Sequence, residues 1–138
     1  MLNKIINIDL HIHSRSSQYK EADELVKDGT PENMCILLNA LNEKNINLFS
    51  ITDHNRFDID IYAEAKKQLS SNKYSNVKNI LAGVEFDVQM EDNMKPCHII
   101  VIFDAKNKED YEKISNTLES NKLINKEDYY NRKNLRKF

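Results

Sequence analysis

Short apolar runs alternate with helix-period segments along most of the chain, and this alternation constrains the fold more than any other feature. Residues 4–12 (KIINIDLHI) read as a buried strand, residues 46–52 (INLFSIT) as a second and residues 79–89 (NILAGVEFDVQ) as a third, and the CHIIVIF run ending at Phe103 reads as a fourth. Residues 14–29 are polar and read as a loop. Thr30 and Pro31 then open a helix to about Lys44, with Thr30 as cap, Pro31 in the first turn, and Met34, Leu37, Leu38 and Leu41 on one face. A second helix over roughly 58–71 carries Ile61, Ala65 and Leu69. Asn107 caps a third over about 108–120, with Tyr111, Ile114 and Leu118 spaced for one face. The EDNMK turn predicts an antiparallel hairpin, and the remaining order predicts an α/β fold with a largely parallel sheet.

Composition narrows the function classes. A chain of 138 residues suits one domain. Its expected organisation is a core over residues 1–105, a helix closing that core over 106–120, and a charged tail over 121–138 that is frayed or disordered. Twenty basic and 22 acidic side chains leave a net charge of -2, which excludes a basic footprint over the whole chain but not a local one. Two glycines cannot build a Gly-rich phosphate loop. No apolar run approaches a membrane span, and the first ten residues are too polar for a signal peptide. Two cysteines, Cys35 and Cys97, argue against a disulfide framework and for a cytoplasmic setting.

The histidines carry the chemistry. His11 and His13 are two apart on a strand, so their imidazoles share a face, with Asp9 expected on it too. Asp53 and His54 follow the second strand, Glu85 lies in the third after Gly83, and His98 begins the fourth. In parallel α/β sheets, sites form at the carboxyl ends of strands. Every histidine falls near such an end except His98. Imidazole and carboxylate together suit zinc, manganese or iron, and two ions a few Å apart support phosphoester hydrolysis. Each piece alone has a plainer reading: a satisfied core histidine, or Asp53 as a turn and helix cap. Glu85 in an apolar strand is harder to explain without a charged partner.

Asp9-Leu10-His11-Ile12-His13-Ser14, then Ile51-Thr52-Asp53-His54-Asn55, then Gly83-Val84-Glu85 and His98-Ile99-Ile100 resemble, in order and spacing, the successive motifs of the PHP (polymerase and histidinol phosphatase) domain over about residues 5–105. The resemblance implies a partial distorted (β/α)7 TIM-like barrel, about the first four strands of a PHP domain. It implies two or three divalent ions held by His11, His13, His54 and Glu85, with Glu85 the bridge and His98 a further ligand or a phosphate contact. Asp9 and Asp53 would then orient ligands. A finer likeness, to PHP domains at the front of AAA- or SMC-like ATPases, suggests an ATPase partner.

The expected function is a metal-dependent phosphoesterase that cleaves phosphodiester bonds, with nucleic acid as a candidate substrate and Arg15 and Arg56 as phosphate contacts. Small phosphomonoesters are the nearest alternative substrates. No histidine follows His98, and a half barrel exposes sheet edges, so a second expectation is a catalytically incomplete module that binds a partner or self-associates. An amidohydrolase also places His-x-His after its first strand, but the later Lys, His and Asp ligands of that class are not evident here. Lys20 is weighed as a phosphate contact or a solvated side chain. The tail, with Lys and Arg interleaved with Tyr129, Tyr130 and Phe138, is weighed as a nucleic-acid contact or a frayed end.

Overall fold

The computed structural model describes residues 5–17, 20, 28–123, 125 and 128–136. Strands β1 (Ile8–Ile12), β2 (Leu48–Ile51), β3 (Asn79–Val88) and β4 (Cys97–Phe103) form one sheet in the order β1-β2-β3-β4. The first two pairings are parallel and the third antiparallel, as the hairpin reading expects. Helices α1 (Met34–Glu43), α2 (Ile59–Leu69), α3 (Lys108–Ser120) and the short α4 (Arg132–Leu135), with 3-10 turns at Arg15–Ser17 and Pro31–Asn33, complete the described elements. The sheet curls into half a barrel, and the α/β partial TIM-like barrel is the observed architecture.

Local chemistry explains most boundaries. Asp58 accepts from the backbone N–H groups of Asp60 and Ile61 and so starts α2. Asn107 does the same for α3 through Asp110 N–H, and the helix begins at Lys108 as its cap predicts. Thr30 makes no side-chain cap. Pro31–Asn33 forms a 3-10 turn instead, and α1 begins at Met34. The first strand is shorter than its apolar run: Ile5 and Ile6 lie outside it and are exposed, correcting their reading as buried.

β3 is buried on both faces. Ile80, Ala82, Val84, Phe86 and Val88 face the apolar core with Phe49, Ile51, Leu38, Ile61 and Tyr62. Each large side chain fully removed from water there contributes about 2–3 kcal/mol. On the other face a Cβ at Gly83 would press on Ser50 Oγ and lie 2.8 Å from Ile102 Cδ1 and 2.9 Å from Thr52 Cγ2. Glycine is therefore what lets β2 and β4 close around β3 at this level. The Tyr62 hydroxyl donates to the Ile51 carbonyl (2.6 Å) and accepts from Gly83 N–H (3.0 Å), tying α2 to the sheet.

Part of the charged tail expected over 121–138 is docked. Tyr130 is fully buried against Phe86 and bridges Val88 in parallel. Tyr130 N–H donates to Asp87 O (2.8 Å), and Gln89 N–H donates to Tyr130 O (2.9 Å). These bonds hold α4 at the carboxyl end of β3. Among the described residues, no helix is long and apolar enough to cross a membrane.

Candidate metal centre

The carboxyl ends of β1, β2 and β3 gather the histidines, and the antiparallel β4 brings its first residues to the same place. His98 pairs with Asp87 across β3 and β4, so a histidine at the start of its strand stands at the common end of the sheet. The pairing of β2 with β3 continues past Ile51. Glu85 N–H donates to Asp53 O (3.2 Å), Asn55 N–H donates to Glu85 O (2.7 Å), and His54 bridges Glu85. Asn55 adopts a left-handed turn (φ 54), which asparagine tolerates, and this ends the extension.

Six side chains converge. Glu85 Oε2 lies 3.0 Å from His11 Nε2 and 2.9 Å from His13 Nε2. Glu85 Oε1 lies 2.6 Å from His98 Nδ1. Asp87 Oδ1 lies 2.9 Å from His54 Nδ1 and 3.3 Å from His98 Nε2. His54 Nε2 stands 3.9 Å from Glu85 Oε2. The rings form a chain, with centroids 4.9 Å apart for His11 and His13, 4.8 Å for His13 and His54, and 5.0 Å for His54 and His98. His11, His13 and Glu85 form one group of donors, and His54, Asp87 and His98 a second. Glu85 Oε2 faces His11, His13 and, farther off, His54, while Oε1 faces His98 of the second group.

The electrostatics favour a cation at this point. Glu85 is 0% exposed and Asp87 1%. Burial pushes the Glu85 carboxyl up, but the hydrogen bond from His13 and the fields of His54 and His11 outweigh it and bring it down to about 2. Burial likewise raises Asp87, and its bond and ion pair with His54, with help from Lys20 and Asn55, hold it below the usual carboxylate range. Burial lowers His54, and Asp87 and Glu85 together raise it above an ordinary imidazole. An ionised Asp87 only accepts, so Nδ1 of His54 carries a proton, and Nε2 is the atom that would bind a metal once the ring is neutral. Two buried carboxylates ringed by four imidazoles demand positive charge, from protonated rings or from a divalent ion. The donor set of nitrogen and oxygen fits zinc, manganese or iron.

The remaining expected residues are placed differently. Asp53 is buried and makes no described bond to a histidine ring. It accepts from Ser14 N–H (2.6 Å), Ser14 Oγ (2.5 Å) and Ser17 Oγ (2.9 Å), and Ser17 Oγ accepts from His54 N–H (3.1 Å). Asp53 thus pins the turn after His13 against the exit of β2. Burial raises its pKa, against the pull of those serine bonds. Asp9 does not share the histidine face. Asp9 pairs with Phe49 and Ile12 with Ile51, with a shift of register between them. The irregularity takes Asp9 to the face of Phe49 and Ile51, where Oδ1 accepts from His11 N–H (3.2 Å). Arg15 pairs with Asp58 (3.5 Å) and Arg56 with Glu119 (3.4 Å), so both candidate phosphate contacts already have carboxylate partners.

Two residues of the cluster escaped the sequence reading. Asp87 lies two beyond Glu85 on the same strand face, and the i, i+2 rule that paired His11 with His13 would have found it. Asn55 holds Asp87 from both sides: its Nδ2 donates to Asp87 Oδ2 (2.6 Å), and its Oδ1 accepts from Asp87 N–H (2.9 Å). Only the turn at Asn55 reveals that role.

No family model matches the chain, and no curated protein matches it. Among solved structures, the chain is similar to an amidohydrolase from Chromobacterium violaceum, described with bound sulfate and no metal, at TM-score 0.50 and 24% identity. The match covers 83% of this chain and 32% of that one, so this chain spans about a third of that protein's length. At this identity the likeness speaks to the fold alone, that of a partial TIM-like barrel.

Proposed function

We propose that the chain carries the metal centre of a metal-dependent hydrolase, acting on phosphate esters and preferentially on phosphodiesters. The observation that carries this reading is the convergence of four imidazoles on two buried carboxylates at the carboxyl end of the sheet. His11, His13 and Glu85 would hold one ion, and His54, Asp87 and His98 a second, with Glu85 facing both. A divalent ion there supplies Lewis acidity that activates water and polarises a phosphoryl oxygen. The chain's own part is orientation: Asp87 fixes the tautomer of His54, Asn55 fixes Asp87, and Asp53 with Ser14 and Ser17 fixes the turn that presents His13. Membership of the PHP family is part of this proposal. Its support is the order of the DLHIHS, ITDHN, GVE and HII segments together with the place each takes in the cluster.

The exposed face of β4 supports a second reading, a module completed by a partner or a second copy. Ile100 and Ile102 share the face of Glu85 and Asp87, and each is 37% exposed. Metal content and turnover of bis-p-nitrophenyl phosphate with manganese decide between the two readings. We expect bound metal and turnover in the native chain, and a drop of about a thousandfold in a His11→Ala/His13→Ala variant, since several kcal/mol of metal assistance disappear. Metal binding without turnover favours the incomplete module. Hydrolysis of an amide and of neither phosphate mono- nor diester would redirect the chemistry to the activity in the neighbour's description. A chain that binds no metal ends the hydrolase reading.

A further inference from the structure

The docked tail carries a set of cations past the carboxyl end of β3. Tyr130 is bonded through its backbone to Asp87 O and Gln89 N, and Asp87 belongs to the cluster. Arg132 follows two residues later, a span of about 7 Å at most. Arg132, Lys133 and Arg136 line one groove. Among the described residues, none of the three has a carboxylate in salt-bridge range. From Tyr129 to Arg136 the sequence has three cations and no acid, in a chain whose net charge is -2. Lys20 ties this segment to the cluster: its Nζ lies 4.9 Å from the centre of the Tyr129 ring and pairs with Asp87 Oδ2 at 3.5 Å.

We propose that Tyr129, Arg132, Lys133 and Arg136 form a binding track for single-stranded nucleic acid at the carboxyl end of β3. Cations spaced along one docked segment follow a phosphate backbone, and an aromatic ring among them gives a base a surface to stack on. A duplex is a poorer fit, because Arg132 and Lys133 lie in a four-residue helix with Arg136 just past its end, too short to read a groove. An anionic lipid surface is a poorer fit too. Leu135, the one apolar side chain of α4, packs on the core and leaves that helix no apolar face to insert. The track rests on the hydrolase reading only for what happens to a bound strand, because binding itself needs no metal.

The test is fluorescence anisotropy with a labelled oligothymidylate of about 12 nucleotides, titrated in chelator over a range of salt. The native chain is expected to bind, and to bind less as salt rises. An Arg132→Glu/Lys133→Glu/Arg136→Glu variant is expected to bind at least about tenfold more weakly, with a log–log salt slope shallower by about 2. Binding by the native chain in chelator, where metal-dependent turnover is impossible, separates the track from turnover. Equal binding by the triple variant with an unchanged Tm overturns the proposal, as does failure of the native chain to bind. Sedimentation with phosphatidylserine vesicles while the oligonucleotide stays unbound overturns it in favour of a lipid surface. Absence of turnover with metal present, beside intact binding, counts against the hydrolase reading and leaves the track standing.

Discussion

The two faces of β3 run side by side for ten residues and solve opposite problems. The face with Ile80, Ala82, Val84, Phe86 and Val88 is stabilised by removing apolar area from water, a force with little directional demand. The face with Gly83, Glu85 and Asp87 buries two carboxylates, which is unfavourable unless each oxygen meets a donor at the right distance. The apolar face therefore holds the fold together, and the polar face depends on it to keep six donors in place. The boundary between them is one residue wide, since alternate side chains of a strand point to opposite sides.

Substitutions on the two faces should separate stability from metal affinity. Phe86→Ala is expected to cause the largest loss of stability, about 3–5 kcal/mol in denaturant unfolding, by opening a cavity between β3 and Tyr130. A loss below about 1 kcal/mol would mean that the tail does not pack there. Gly83→Ala, on the polar face but below the cluster, is expected to cost about 1–3 kcal/mol by overpacking against Ser50, Thr52 and Ile102. Its metal affinity, measured by titration calorimetry under folding conditions, should change little. Asp87→Asn is expected to reverse that pattern, lowering metal affinity by about 10–100-fold through His54 while the unfolding midpoint of the chelated protein moves less than in Phe86→Ala. Unchanged affinity would remove Asp87 from the centre. Tyr130→Phe is the smallest change expected, about 1 kcal/mol. It deletes the hydrogen bond to Asn121 O (3.1 Å) and keeps the ring against Phe86.

Much of this was legible from residue order. The alternation of apolar runs and helix-period segments located β2, β3, β4 and α3 to within a residue or two, because strand and helix periods are local. His11 and His13 were legible as a pair for the same reason. Asp9 shows where that logic stops. The same i, i+2 count failed across a register irregularity that depends on how β1 meets β2. His98 shows the converse. It looked misplaced at the start of a strand, and the antiparallel turn of β4 brings it to the common end. Arg15 and Arg56 looked available in sequence, yet Asp58 and Glu119, distant along the chain, already pair with them.

The order and type of elements, and the residue types able to hold a metal, follow from short stretches of residues, because period, capping and donor chemistry are local. The tertiary structure decided which donors meet. It set Glu85 between His11, His13 and His98, drew Asp87 and Asn55 in to hold His54, and laid Tyr130 along the end of β3, where it anchors the basic segment that follows. These contacts join positions far apart in the chain, and only the pairing of strands and the packing of buried side chains specifies them.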